Sequence, residues 1–331
     1  MKKLLKSREC SLLAVMALLC VVVSISSPAF MQGNNLTNIL NNSIPMIILG
    51  CGMTMVIIIG GIDVAVGAEM ICSSYVAGSV ALSSTGNIFL CVLAAMGVGL
   101  LMGLFNGVLI AHLNVPPFIA TIGTLNIFRG GLLFTTQSQW LMNLPEFITD
   151  ITRKKFLGVP YSVFIMLVLV VVTWWLLKYT RFGRAVYAIG GNREAAVRAG
   201  IQVRKTQLLV YTYTGLMTGF AGLLNAARLG NIQPGGSLGI EMTVVAAVIL
   251  GGTSIQGGVG SPVGTVFGVI MMTIFENLLV LLYVPTYWQK FFEGTLMITI
   301  IILGVMQNAL GNRGKVRIDV ETDIRAMEVK P

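Results

Sequence analysis

Residues 182–205 read FGRAVYAIGGNREAAVRAGIQVRK and form a polar stretch between two long apolar runs. The pair Gly190-Gly191 interrupts this stretch. Asn192 follows as a natural N-cap for a short helix over Arg193 to Ala199, with Gly200 just past its end. A helix of under two turns is too short to cross a bilayer. We therefore expect it to lie at a membrane surface, where a partner can bind it.

The composition predicts an all-α, polytopic membrane protein. The chain has 331 residues, of which 55% are hydrophobic and 11% are charged, and its mean hydropathy is +0.85. Soluble domains carry about 25% charged residues. The 38 glycines also fit, since close helix contacts in lipid favour small residues. Ten spans are predicted, at residues 11–30, 44–60, 68–84, 87–111, 118–135, 159–178, 206–228, 241–257, 263–284 and 290–309.

The basic residues predict the orientation. Most of the 22 Lys and Arg residues fall in the N-terminal segment, the central loop 179–205 and the tail 310–331. The positive-inside rule places all three in the cytoplasm, with both termini there. The net charge of +9 is therefore explained by the bilayer, and no nucleic-acid partner is expected. Residues 1–331 are predicted to form one transmembrane domain.

Two glycine-rich breaks interrupt the predicted spans. IGGIDVAVGAEM (59–70) places Gly60 and Gly61 before Asp63, which is expected to cap a new helix. GGTSIQGGVGSPVG (251–264) is the second break. Irregular backbone at membrane depth needs protein or water to satisfy it, so both breaks are candidate parts of a transport path. A tight turn at the cytoplasmic surface is an equally good interpretation of the first.

Two asparagines lie within apolar spans beside small residues. Asn106 stands in GLFNG (103–107) and Asn225 in GLLNA (222–226). An amide at such a position suits hydrogen bonds between helices. Lining of a substrate path is the alternative that we carry forward.

Catalytic chemistry is not indicated. Residues 251–264 contain no lysine, so they do not form a P-loop, and His112 is the only histidine. The five cysteines show no Cys-x-x-Cys spacing, and no metal site is expected. An ion-gradient transporter would need a buried ionisable group. Glu276 is the best candidate for such a buried acid, although a packing role is expected for it.

Four stretches together resemble one family. They are GGIDVAVG (60–67), VPPFIATIGTLNIFRG (115–130), FGRAVYAIGGNREAAVRAGI (182–201) and LGGTSIQGGVGSPVGTVFG (250–268). They are similar to the permeases of bacterial ATP-binding-cassette importers for monosaccharides, the ribose type. Ala65 stands where that family usually has serine. The similarity covers nearly the whole chain, with order and spacing kept.

The resemblance implies a type II importer-like fold of about ten transmembrane helices. It implies a dimer with a second permease, either an identical copy or a paralogue. Its other partners would be a cytoplasmic sugar ATPase and a periplasmic or lipid-anchored sugar-binding protein. No cofactor is expected on this chain, since ATP-Mg would bind the ATPase. We expect the binding protein to dock on residues 136–158 and 230–240.

Two sets of functional residues are predicted, of which the resemblance implies the first and the glycine breaks and the two asparagines indicate the second. The coupling helix would bind the ATPase through Gly190, Gly191, Asn192, Arg193, Glu194, Ala195, Ala196, Arg198 and Gly200. The path and its gating are assigned to Gly60, Gly61, Asp63, Asn106, Asn225, Gly251, Gly252 and Thr253.

The substrate is the least determined prediction. ENLLVLLYVPTYWQKFFEG (276–294) resembles permeases for rhamnose and for a sugar-like autoinducer. A ribose-like pentose remains the first expectation, with the autoinducer as one alternative. An ion-gradient-driven sugar transporter and a membrane scaffold or receptor component are the others.

Overall fold

The computed structural model describes residues 16, 17, 20, 21, 23–83 and 87–302. The predicted tail 310–331, the beginning of the first predicted span and the end of the last one lie outside these residues.

The described part of the chain is mostly helical. A 3-10 turn, Pro28–Met31, precedes the first long helix, and a two-residue hairpin pairs β1 (Lys155–Phe156) antiparallel with β2 (Val159–Pro160). The helices are α1 (Gly33–Ile58), α2 (Val66–Ser83), α3 (Ile88–Ala111), α4 (Pro117–Thr136), α5 (Glu146–Arg153), α6 (Tyr161–Tyr179), α7 (Arg181–Gly191), α8 (Arg193–Arg198), α9 (Val203–Leu229), α10 (Ile240–Leu250), α11 (Pro262–Leu281) and α12 (286–302).

Six described helices are long and apolar enough to cross a membrane: α1, α2, α3, α4, α6 and α11. The ten predicted spans are therefore confirmed only in part. α9 has 27 residues, but more of them are polar. The eighth predicted span, 241–257, is wrong because helix α10 ends at Leu250 after 11 residues. Eleven residues rise only about 16 Å, roughly half of a bilayer core.

Glycines allow the central helices to approach each other closely. A Cβ on Gly103 of α3 would lie 2.7 Å from the Cα of Gly215 on α9, so only glycines permit this crossing. The same pattern continues one turn away, where a Cβ on Gly219 would lie 2.6 Å from the carbonyl of Ala95. Close backbone contact of this kind is how helices associate tightly in lipid.

Helix α1 lies in the core and runs antiparallel to α11. The hydroxyls of Thr54 and Thr265 are 2.6 Å apart near one end of the pair, and the amides of Asn35 and Asn277 hydrogen-bond at the other. We call the end that holds Ile58 and α8 the α8 end. The opposite end holds the β1–β2 hairpin and is called the hairpin end.

Candidate functional site

Helix α8 is capped at both ends by residues next to it in the sequence. The Asn192 side chain accepts a hydrogen bond from the Ala195 N–H at 3.0 Å, as predicted for an N-cap. Gly200 has φ +78°, and its N–H bonds to the Val197 carbonyl at 3.0 Å. The next N–H, of Ile201, bonds to the Ala196 carbonyl at 3.0 Å, which completes a Schellman motif. Both predicted caps are confirmed, with Ala199 as the C-cap residue instead of the last helical residue.

Almost every side chain of α8 points into solvent. Only Ala196 is buried, at 3% exposure. Glu194 and Arg198 are 4.0 Å apart with side chains 87% and 83% exposed, so their ion pair contributes little stability. Arg193 and Ala195 are exposed too. A six-residue helix with this exposure is held by its caps and one buried residue, and the rest of its surface is exposed.

Helix α7 connects α8 to the membrane core through a contact between three backbone segments. A Cβ on Gly190 would collide with the Ile58 carbonyl and would lie 2.5 Å from the Gly258 nitrogen. The Gly258 N–H donates to the Ile58 carbonyl at 2.9 Å. We call Ile58, Gly190, Gly257 and Gly258 the glycine crossing. It joins α7, the end of α1 and the loop 251–261.

Tyr187 adds a side-chain link at the same place. Its hydroxyl donates to the Gly260 carbonyl at 2.8 Å. Burial raises the pKa of Tyr187, so the phenol keeps the proton that it donates. The side chain therefore fastens α7 to the loop 251–261 at neutral pH.

The first predicted break lies beside the glycine crossing. Gly60 turns the chain with φ +82°, and residues 63–65 then run buried through the protein. Asp63 is fully buried, and its Oδ1 accepts from the Ala65 N–H at 2.9 Å, just before α2 begins. Gly60 itself is exposed at the α8 end, so the interpretation of this segment as a surface turn stays a prediction beside its role in a path. Thr121 also holds it, accepting from the Val64 N–H at 3.3 Å.

The second predicted break is confirmed as irregular backbone. Gly252, Gly257 and Gly258 all have positive φ values between +74° and +94°. A Cβ on Gly251 would lie 2.8 Å from the Thr265 nitrogen, so the loop starts in tight contact with α11. Thr253 is 2% exposed and lies in the turn that follows α10.

The structure thus brings most of the predicted residues together at the α8 end. The exceptions are Asn106 and Asn225. The Asn106 amide donates to Glu69 Oε1 at 2.9 Å, and the Thr218 hydroxyl donates to Glu69 Oε2 at 3.2 Å. Asn225 accepts from Arg228 at 3.3 Å. The contact of Asn106 favours the helix-packing alternative, whereas that of Asn225 lies within its own helix, and a path role for either asparagine stays a prediction.

The choice of Glu276 as the most buried acid is wrong. Glu69 and Asp63 are fully buried, whereas Glu276 is partly exposed at the border of a cavity. The sequence did not indicate that Glu69 has partners on two other helices. Tyr187, Gly258 and Thr121 were also missed. Their contacts cross long stretches of chain, and only the richness in glycine of 251–264 pointed to close backbone approach.

Comparison with known proteins identifies the family. The model of a family described as the permease component of branched-chain amino acid transport systems matches residues 35–301. The chain belongs to this permease family. It is therefore a transport subunit and a multi-pass protein of the inner membrane.

Several similar proteins carry one name, "Autoinducer 2 import system permease protein LsrC". The protein of Enterobacter sp. (strain 638) is 35% identical over 313 residues, which cover 94% of this chain and 90% of that protein. The protein of Escherichia coli (strain K12 / DH10B) is 30% identical over 325 residues, covering 98% and 92%. The resemblance to ribose-type permeases near the autoinducer branch is thereby confirmed. No solved structure matches the chain.

Proposed function

We propose that this protein is the membrane permease of an ATP-driven importer that carries a small sugar-like molecule into the cell. It works with a second permease, identical or paralogous, and with two cytoplasmic ATPase subunits. A periplasmic or lipid-anchored binding protein delivers the substrate. ATP-Mg binds to the ATPase and not to this chain.

The observation that carries the proposal is the form of α8. It is capped at both ends, exposed except for Ala196, and joined by α7 to the glycine crossing. These are the properties required of a coupling helix, which must fit into a groove of a partner and transmit its movement. The excess of basic residues in loop 179–205 supports a cytoplasmic location, as do the basic residues near both termini.

The contacts suggest how movement of an ATPase would reach the membrane. Closure of the ATPase pair pulls on α8 and hence on α7. Because Gly190 lies directly against Ile58 and Gly258, a shift of α7 moves the end of α1 and the loop 251–261 together. The segment 59–65 follows Ile58 and leads into α2. Access to the path would then alternate as these segments shift.

For the substrate we propose autoinducer 2. Its import is named for several relatives that cover more than nine-tenths of this chain. A ribose-like pentose is the second candidate, and competition between the two separates them. Excess unlabelled autoinducer 2, but not ribose, should reduce uptake of labelled autoinducer 2 by cells that express the complete importer.

The coupling role is tested by co-purification with the ATPase. Glu194→Arg reverses a charge in the first turn of α8 and should abolish recovery of the ATPase. Glu146→Arg is the matched control, since Glu146 is also exposed in the first turn of a short helix, but at the hairpin end. Equal recovery of the ATPase with the wild-type permease, Glu194→Arg and Glu146→Arg would refute docking through α8.

A further inference from the structure

Polar side chains on four helices line a cavity of about 560 Å³ at the hairpin end, with Thr243 contributed by α10. On α1 the lining residues Asn35, Asn38 and Asn42 recur every three or four positions and therefore share one face. The volume lies within the roughly 300–1,000 Å³ that is usual for small-molecule sites. A repeated polar face on a helix long enough to span a membrane indicates contact with water or solute instead of lipid.

The parts of the lining that α11 and α12 contribute are polar as well. Thr273, Glu276 and Asn277 face the cavity from α11, and Gln289 and Lys290 face it from α12. Asparagine and glutamine each offer donors and an acceptor, which match the hydroxyl and carbonyl groups of a sugar.

The cavity extends deep into the protein and then ends. On α1 its lining runs from Asn35 to Met46, a rise of about 16 Å, or roughly half of a bilayer core. Beyond Met46 the α1 residues Ile47, Ile48 and Leu49 are fully buried. The cavity is therefore open toward the hairpin end and closed toward the α8 end.

The charges in the wall favour an uncharged solute. Two carboxylates, Glu276 and Glu293, face one ammonium, Lys290. Lys290 is paired with Glu293 at 2.7 Å, and Thr243 donates to the other oxygen of that carboxylate. Glu276 makes no hydrogen bond or ion pair among the described residues. Its carboxyl group is therefore left to form hydrogen bonds with the hydroxyl groups of a solute, while the paired Lys290 offers an anion no free partner.

We propose that this cavity, the amide cavity, holds an uncharged polyhydroxylated molecule on its way through the permease. The proposal rests on the proposed function, since it takes the hairpin end to be the face from which substrate arrives. Asn38 and Glu276 are two lining residues whose side chains make no hydrogen bond within the described part of the chain, so their polar groups are free for the solute. A phosphorylated form of the same sugar should be excluded, because the one ammonium among the lining residues is already paired with Glu293.

The test is ATP-driven uptake of labelled autoinducer 2 by proteoliposomes that contain the complete importer. Asn38→Leu removes one free amide and should lower uptake about three- to tenfold, the effect of one lost hydrogen bond. Asn34→Leu is the matched control, because Asn34 is exposed on the same helix outside the cavity, and it should leave uptake unchanged. Asn38→Ser keeps a donor and an acceptor and should recover part of the uptake.

A second measurement addresses occupancy directly. Asn38→Cys should react with a membrane-impermeant maleimide in the purified permease–ATPase complex, above the wild-type background from the native cysteines. Millimolar neutral sugar should slow the reaction several-fold, whereas its phosphorylated form should not.

The outcomes separate the two proposals. If the wild-type importer shows no ATP-driven uptake, the proposed function fails before any variant is compared, and this inference fails with it. If the wild-type importer takes up substrate and both Asn38→Leu and Asn34→Leu take it up equally well, the proposal that the amide cavity holds the solute is overturned. The proposed function then stands. Equal protection by the neutral and the phosphorylated sugar would overturn the charge selectivity.

Discussion

Substitution of Gly190 by alanine tests whether the glycine crossing is real. A Cβ there meets the Ile58 carbonyl and the Gly258 nitrogen, which are backbone atoms that cannot rotate away. Relief of the overlap requires α7 to move, at a cost of about 1–3 kcal/mol for overpacking. Loss of the hydrogen bond from Gly258 to Ile58 adds about 0.5–1.5 kcal/mol.

The matched control is Gly191→Ala in the same helix. Apart from its own helix, none of the described residues has an atom within 4 Å of a Cβ placed on Gly191. Both substitutions gain similar helix propensity, about 1 kcal/mol relative to glycine, so this gain cancels in their comparison. Gly190→Ala should therefore be less stable than Gly191→Ala by about 1.5–4.5 kcal/mol.

Thermal unfolding of the purified permease in detergent measures this difference, and ATP hydrolysis by the assembled importer measures its consequence. Gly190→Ala should melt at a lower temperature than Gly191→Ala and should lose stimulation of hydrolysis by the loaded binding protein. If the two variants melt together and Gly190→Ala keeps full stimulation, α7 does not lie against Ile58 and the proposed transmission is refuted.

Three further outcomes are expected from the packing. Glu69→Ala leaves the buried Asn106 amide without its acceptor and should destabilise the permease by about 1–3 kcal/mol, while Glu69→Gln should cost less; both are measured by thermal unfolding. Gly103→Ala should lower the melting temperature through about 1–3 kcal/mol of overpacking, whereas Gly97→Ala in the same helix has open space and should not. Tyr187→Phe should cost about 1 kcal/mol in the same assay, and an unchanged melting temperature would show that its hydrogen bond to the glycine-rich loop is unimportant.

The local signals in the sequence predicted local structure well. Asn192 and Gly200 marked the two ends of α8 because capping depends on residues a few positions apart. The glycines of 251–264 marked irregular backbone for a similar reason, since positive φ values favour glycine. Length and hydropathy were sufficient for the class of fold.

Contacts between distant segments were not predictable in the same way. Nothing in the sequence relates Gly190 to Ile58, because their contact depends on how α7 lies across the end of α1. The contacts of Glu69 were not predictable either, since its partners Asn106 and Thr218 are on α3 and α9. The half-length of α10 was missed because the predicted span 241–257 was extended into the glycine-rich residues 251–257, which are not helical in the structure.

The central claim is that transport depends on ATP hydrolysis coupled through α8, and uptake by proteoliposomes tests it most directly. Vesicles should contain the permease, its ATPase and enclosed ATP, with the loaded binding protein outside. We predict uptake of labelled substrate with ATP and none with a non-hydrolysable analogue or with Glu194→Arg. Uptake that continues without hydrolysis and follows an imposed ion gradient would contradict the account and point to a gradient-driven transporter.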